Sequence, residues 1–119
     1  MSLYLMIIEA YTSLGCWADE RNDRAIPTIE GKNSLLDGSY QSRDDAIQKC
    51  FEAAKSFGYD VFAVQNGGWC ASSATAKSTY KKHGQSAACL LDGKGGHAAN
   101  AVYEINQGKL LSDMFGFDF

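Results

Sequence analysis

Only one proline interrupts the chain, and no low-complexity tract breaks it, so a disordered region or a stiff proline-rich spacer has no place here. No block of basic residues occurs either. Eleven Lys and Arg stand against fourteen Asp and Glu, for a net charge of -3. A protein that tracks phosphates needs a positive face, which excludes nucleic acid as the expected partner. No segment joins a basic polar face to an apolar one, as binding to an anionic membrane surface would require. No apolar run approaches the roughly 20 residues of a membrane span. The spacing C-x-x-C is absent, and with it the usual sign of a zinc ribbon or a redox pair. Histidine is scarce: His83 follows two lysines and His97 follows two glycines, so both read as surface residues. The carboxylates are scattered over loops and the polar side of a helix, and no acid/base pair follows from their spacing. The expectation is a protein without enzymatic activity, cofactor or metal.

What the chain does have is 119 residues at 45% hydrophobic, enough for one folding unit and too few for two independent cores. It also has four cysteines, Cys16, Cys50, Cys70 and Cys89. An even number at wide spacing favours two disulfides and a secreted, extracellular setting; the alternative is four buried thiols in a cytosolic protein. Residues 3–8 are apolar but lack a basic flank and run into Glu9, which makes a poor secretory signal, so the extracellular reading rests on the cysteines.

Residues 1–10 read as an apolar N-terminal strand or extension, residues 11–105 as the domain proper and residues 106–119 as an apolar tail. A strand is expected over 11–17. A charged turn follows at 19–23, then an extended piece at 24–27 that Pro27 keeps out of the middle of a sheet. Residues 30–41 read as an irregular surface loop. Ser42 and Asp45 form an S-x-x-D capping pattern, and Ala46, Ile47, Cys50, Phe51 and Ala54 recur on one side of the helix that follows, with Gly58 at its end. Residues 59–65 and 69–71 read as a hairpin around Asn66-Gly67-Gly68, in which Asn66 suits a positive φ. A short helix from Ser73 to Lys82 and a last strand over 101–105 complete the pass. Between them, Asp92-Gly93-Lys94-Gly95-Gly96 reads as a flexible connection, since it lacks the flanks of a phosphate loop and the alternating oxygens of a calcium loop.

The order of Leu14-Gly15-Cys16-Trp17, Asp19, Arg24-Ala25-Ile26, the helix with Cys50, Gly58-Tyr59 and Phe62-Ala63-Val64-Gln65-Asn66-Gly67-Gly68-Trp69-Cys70 resembles a WSC-type domain. That is an extracellular carbohydrate-binding module related in fold to the PAN/apple group. Cys89, Gly95-Gly96, Asn100 and Val102-Tyr103-Glu104-Ile105 resemble its close, so the likeness covers about residues 11–105. The chain departs from that family in having fewer cysteines and longer loops at 30–41 and 73–86. The resemblance implies an α+β fold, disulfide-stapled and loop-rich, with one main helix packed on a curved antiparallel sheet. It also implies the pairs Cys50–Cys70 and Cys16–Cys89.

Sugar binding needs flat aromatic faces, with planar amides and carboxylates for paired hydroxyls. Trp69, Tyr80 and Tyr103 supply the first, Gln65, Asn66, Asp92 and Asn100 the second, against ordinary core packing for the aromatics and a plain turn role for Asn66. The mixed-sign run 19–24 reads as a solvated turn, with Arg24 suited to a structural ion pair. A glycan is the expected partner, and the module is expected to be lectin-like. The alternative is a protein-interaction module that forms a homo-oligomer through its N-terminal strand and the Phe-rich tail.

Overall fold

The structure, a computed structural model, describes residues 10–106; the N-terminal apolar segment and the tail assigned to self-association lie outside the described residues. Four strands, β1 (Tyr11–Ala18), β2 (Val61–Gln65), β3 (Trp69–Ser72) and β4 (Ala99–Ile105), form one antiparallel sheet in the order β1-β4-β2-β3. Helix α1 (Ala46–Ser56) packs on one face of the sheet, and the short α2 (Ala76–Thr79) contributes Ala76 to the core on the other. The fold is α+β, with one main helix on an antiparallel sheet. Among the described residues no helix is long and apolar enough to cross a membrane.

The alternation of side chains along the strands divides the core in two. Phe62, Val64, Cys70, Ala101, Tyr103 and Ile105 face α1, where they meet Cys50, Phe51, Ala53 and Ala54. Tyr103 stacks on Phe62 with ring centroids 5.2 Å apart. Val61, Ala63, Ala71 and Val102 face the other way and are covered by Ile26 and Ala76. Leu14 is the extra residue of a β-bulge, where the β1 register shifts between Ser13 and Gly15, and it joins this second cluster. Pro27 lies at the sheet margin as expected: its carbonyl accepts from Ser72 N at 3.0 Å, and Thr28 bridges Ala71. At the far end Asn106 N donates to Ala10 O at 2.9 Å, so the strands that enter and leave the domain run side by side.

The helix starts later than the capping pattern suggests. Ser42 closes a one-turn 3-10 helix, Tyr40–Ser42, and its hydroxyl turns back to the Ser39 carbonyl at 3.5 Å. The physical reason is Arg43. Its side chain is 2% exposed, donates to both Glu30 carboxylate oxygens at 2.7 and 2.8 Å and to the carbonyls of Gly68 and Leu36, and holds an extended backbone at the point where the helix would have begun. Asp45 then takes a left-handed φ of 50° and makes no side-chain cap. The end of the helix follows expectation: Gly58 N reaches Lys55 O and Tyr59 N reaches Ala54 O, the paired bonds of a Schellman motif. The expected helix over 73–82 is helical only across Ala76–Thr79. The loop 30–41 buries Leu36 and carries the 3-10 turn Ser34–Leu36, capped by the Asn33 side chain, so it is less superficial than its composition suggests.

Both disulfides form, Cys50–Cys70 and Cys16–Cys89, the pairings implied by the resemblance. Cys16, Ala101, Val64 and Cys70 lie opposite one another across all four strands. One staple therefore leaves from each edge of a single cross-strand row, to α1 on the β3 side and to the segment before β4 on the β1 side.

Candidate functional site

The adjacent cross-strand row is Trp17, Asn100, Gln65 and Trp69, and it faces away from α1. Its centre is polar and buried: Gln65 is 7% exposed and Asn100 is fully enclosed. Gln65 Nε2 donates to Asn100 Oδ1 at 2.8 Å and to Asp19 Oδ2 at 2.9 Å. Asp19, just past the end of β1, also accepts from Ala25 N at 2.9 Å and from Arg24 NH1 at 2.7 Å. Burial works to raise the Asp19 carboxyl; the bonds from Ala25, Gln65 and Arg24 outweigh it and hold the group below the usual carboxylate range. Asn100 Nδ2 is buried with no partner among the described residues.

This network underlies a cleft of about 600 Å3 at the hairpin end of the sheet. Gln65, Asn66 and Trp69 line it from the hairpin, Arg21 and Arg24 from the loop after β1, Tyr40 from the 3-10 turn, and His97 and Ala98 from the turn before β4. Arg24 lies over the Trp69 ring, 4.4 Å from its centroid, and so ties the loop to the hairpin through both Asp19 and the indole. Gly68 lets the Tyr40 backbone approach, since a Cβ there would collide with the Tyr40 carbonyl. On the opposite wall Gly96 and Ala99 exchange hydrogen bonds around His97 and Ala98, with Ala98 at a φ of 50°. Gly95, with φ +73°, places the start of this turn where a Cβ would sit against the Val64 carbonyl and 2.6 Å from Ala99 O. The glycine-rich segment is thus packed on β2 and is not a loose connection.

Of the seven candidate ligand residues, Gln65, Asn66 and Trp69 come together in the cleft, and Asn100 lies behind it, bonded to Gln65. Asn66 is also the turn residue expected, at a φ of 51°. The other three lie elsewhere. Tyr103 faces α1, and its hydroxyl donates to Gly93 O at 2.6 Å. Tyr80 packs edge-on against Trp17, 5.3 Å between centroids, outside the cleft. Asp92 is exposed and accepts from Lys94 N at 3.0 Å in a local turn. Arg21, Tyr40 and His97 were not among the candidates, and Arg24 was assigned only a structural role. A signal for part of this was available, because Tyr103 and Asn100 are three residues apart on one strand and must face opposite ways. Nothing local marks Arg21, Tyr40 or His97, which arrive from three separate loops.

Glu20, Asp23 and His83 bring potential metal-ligand atoms within 4.8 Å of one another. Lys82 Nζ, 2.5 Å from Asp23 Oδ1, already supplies the positive charge there. A second depression of about 420 Å3, lined by the first turn of α1 together with Tyr11 and Lys94, contains none of the candidate residues. No protein-family model matches the chain, and neither a curated protein nor a solved structure does so.

Proposed function

We propose that the domain is a lectin-like module of an extracellular protein, binding glycans through the cleft at the hairpin end of the sheet without catalysing a reaction. One observation carries this reading: a partly buried indole, Trp69, shares a cleft of about 600 Å3 with the planar amides of Gln65 and Asn66 and the phenol of Tyr40. A pyranose offers an apolar face to an aromatic ring and paired hydroxyls to amides and phenols. The cleft volume lies within the range of about 300–1,000 Å3 usual for small-ligand sites. The Gln65 amide nitrogen is held by Asp19 and Asn100, so its orientation is set before any ligand arrives, which lowers the ordering cost of binding. The resemblance of residues 11–105 to WSC-type domains supports the same ligand class, and the two disulfides support the extracellular setting. Affinity per site is expected to be weak, with function drawn from several copies acting together.

The test is a glycan array and titration calorimetry with the oxidised wild type, Trp69→Ala and Tyr40→Ala, each first shown to melt cooperatively. Loss of glycan binding by at least about tenfold in a folded variant is expected from removing an aromatic platform. Absence of binding to any glycan by the folded wild type overturns the reading. That outcome would favour a self-association module, for which the exposed neighbours Leu90 and Leu91, 67% and 107% exposed, offer an apolar contact, and sedimentation of the same samples at rising concentration would reveal it.

A further inference from the structure

The mixed-sign loop 19–24 is sorted by the fold into three directions. Asp19 turns inward, fully enclosed, and is neutralised by Arg24. Glu20 and Asp23 turn to the 79–84 segment, where Asp23 meets Lys82 at 2.5 Å and His83 at 3.8 Å, and Glu20 meets His83 at 3.8 Å. Arg21 and Arg24 turn to the cleft. Arg21 is exposed and makes no ion pair among the described residues, and Arg24 has one guanidinium nitrogen committed to Asp19. His97 lies on the opposite wall, and among the described residues no Asp or Glu lines the cleft. A chain with a net charge of -3 therefore presents a cleft whose charged lining is cationic.

Resting on the glycan reading above, we infer that the ligand is an acidic saccharide, one whose carboxylate or sulfate group is held between Arg21 and Arg24 while a neighbouring ring lies against Trp69 and the amides. Guanidinium groups form paired, charge-assisted hydrogen bonds to planar or tetrahedral oxyanions, and the one carboxylate beneath the cleft, Asp19, is already matched by Arg24, which leaves the charge of Arg21 uncompensated. Arg24 is pre-set for the role: Asp19 fixes one end of its fork and the Trp69 ring supports its plane, so its remaining N–H groups do not need to be ordered on binding. Arg21 supplies the uncompensated charge that steers an anion into the cleft.

Calorimetry with length-matched oligosaccharides of three kinds tests this: uncharged glucan, uronic-acid oligomer and sulfated neutral-sugar oligomer, with inorganic sulfate and acetate as non-sugar controls. The wild type should bind at least one acidic oligomer about tenfold more tightly than the uncharged one, with the gap narrowing as ionic strength rises beyond about 0.15 M. Arg21→Gln, which breaks no ion pair among the described residues, should lower affinity for the acidic oligomer about three- to tenfold and affinity for the uncharged one by less, so that the gap between the two narrows. Equal affinity for charged and uncharged sugars, or an Arg21→Gln protein indistinguishable from wild type, overturns the inference and leaves the glycan reading standing. Binding of free sulfate or acetate as tight as that of the acidic sugar overturns the saccharide part. A folded wild type that binds no oligomer of any kind overturns both.

Discussion

Asp19 holds together three things that are separate in sequence: the loop after β1 through Ala25 N, the cleft cation Arg24 and the central strand through Gln65. A fully buried carboxylate is tolerable only because each oxygen has donors, and removing it leaves Gln65 Nε2 with one partner fewer and Arg24 without its counter-charge. Asp19→Ala is therefore expected to cost about 2–4 kcal/mol, read as a lower urea midpoint at unchanged slope. Arg24 is 31% exposed, so the loss should fall short of that for a wholly buried pair. At this scale the sequence was informative about Arg24, whose place before Ala25 and Ile26 pointed to an ion pair, and marked Asp19 as a landmark of the resemblance without giving it a role. Nothing in a run of alternating charges tells which member turns inward, because that depends on Gln65 lying opposite in a strand that comes 46 residues later.

Among the elements, α1 and the hairpin were the most legible. The apolar stripe from Ala46 to Ala54 is the buried side of the helix, and Asn66 with Gly67 closes the turn where expected, because both signals are local and periodic. The helix start was not legible, since the partly buried Arg43–Glu30 pair that displaces it joins residues on either side of a loop. The disulfides set a stability order that follows from loop length. Cys50–Cys70 spans 20 residues and Cys16–Cys89 spans 73. In the chain-entropy picture, replacing the first pair by alanines should cost about 3 kcal/mol and the second about 4 kcal/mol. Denaturant titrations of the two double variants check the order. The reverse order would mean that Cys50 on α1 and Cys70 on β3, both wholly buried between helix and sheet, act mainly by packing.

For the molecule as a whole, the shifted groups give stability two opposite slopes with pH. The folded-state pKa of Asp19 is depressed, so its contribution is fully present above the unfolded value of about 3.9 and is lost as pH falls through the folded one. Asp23, held down chiefly by the hydrogen bond from Lys82, acts in the same direction from an exposed position. Tyr103 behaves oppositely: burial raises its pKa, so its contribution is present below about 10 and is lost as pH rises through the higher folded value. Urea midpoints should fall between about pH 5 and about pH 3, and Asp19→Asn should fall less over the same interval. An unchanged acid slope in that variant would assign the loss to other carboxylates. The candidate site was half legible at this scale: the hairpin residues were found together, whereas the cationic wall emerged only once the loops had folded around it.

The meeting of Ala10 and Asn106 at one end of the sheet has a mechanical consequence. Tension across those two points would peel β1 from β4 rung by rung, beginning with Tyr11 and Ile105, until it reached Cys16 and passed through sulfur to Cys89. Everything strung between those two cysteines, including Arg21, Arg24 and Trp69, would be shielded from the load. His97 and Ala98 lie beyond the bond, on the pulled side, so a taut chain would tug one wall of the cleft away from the other and loosen its grip.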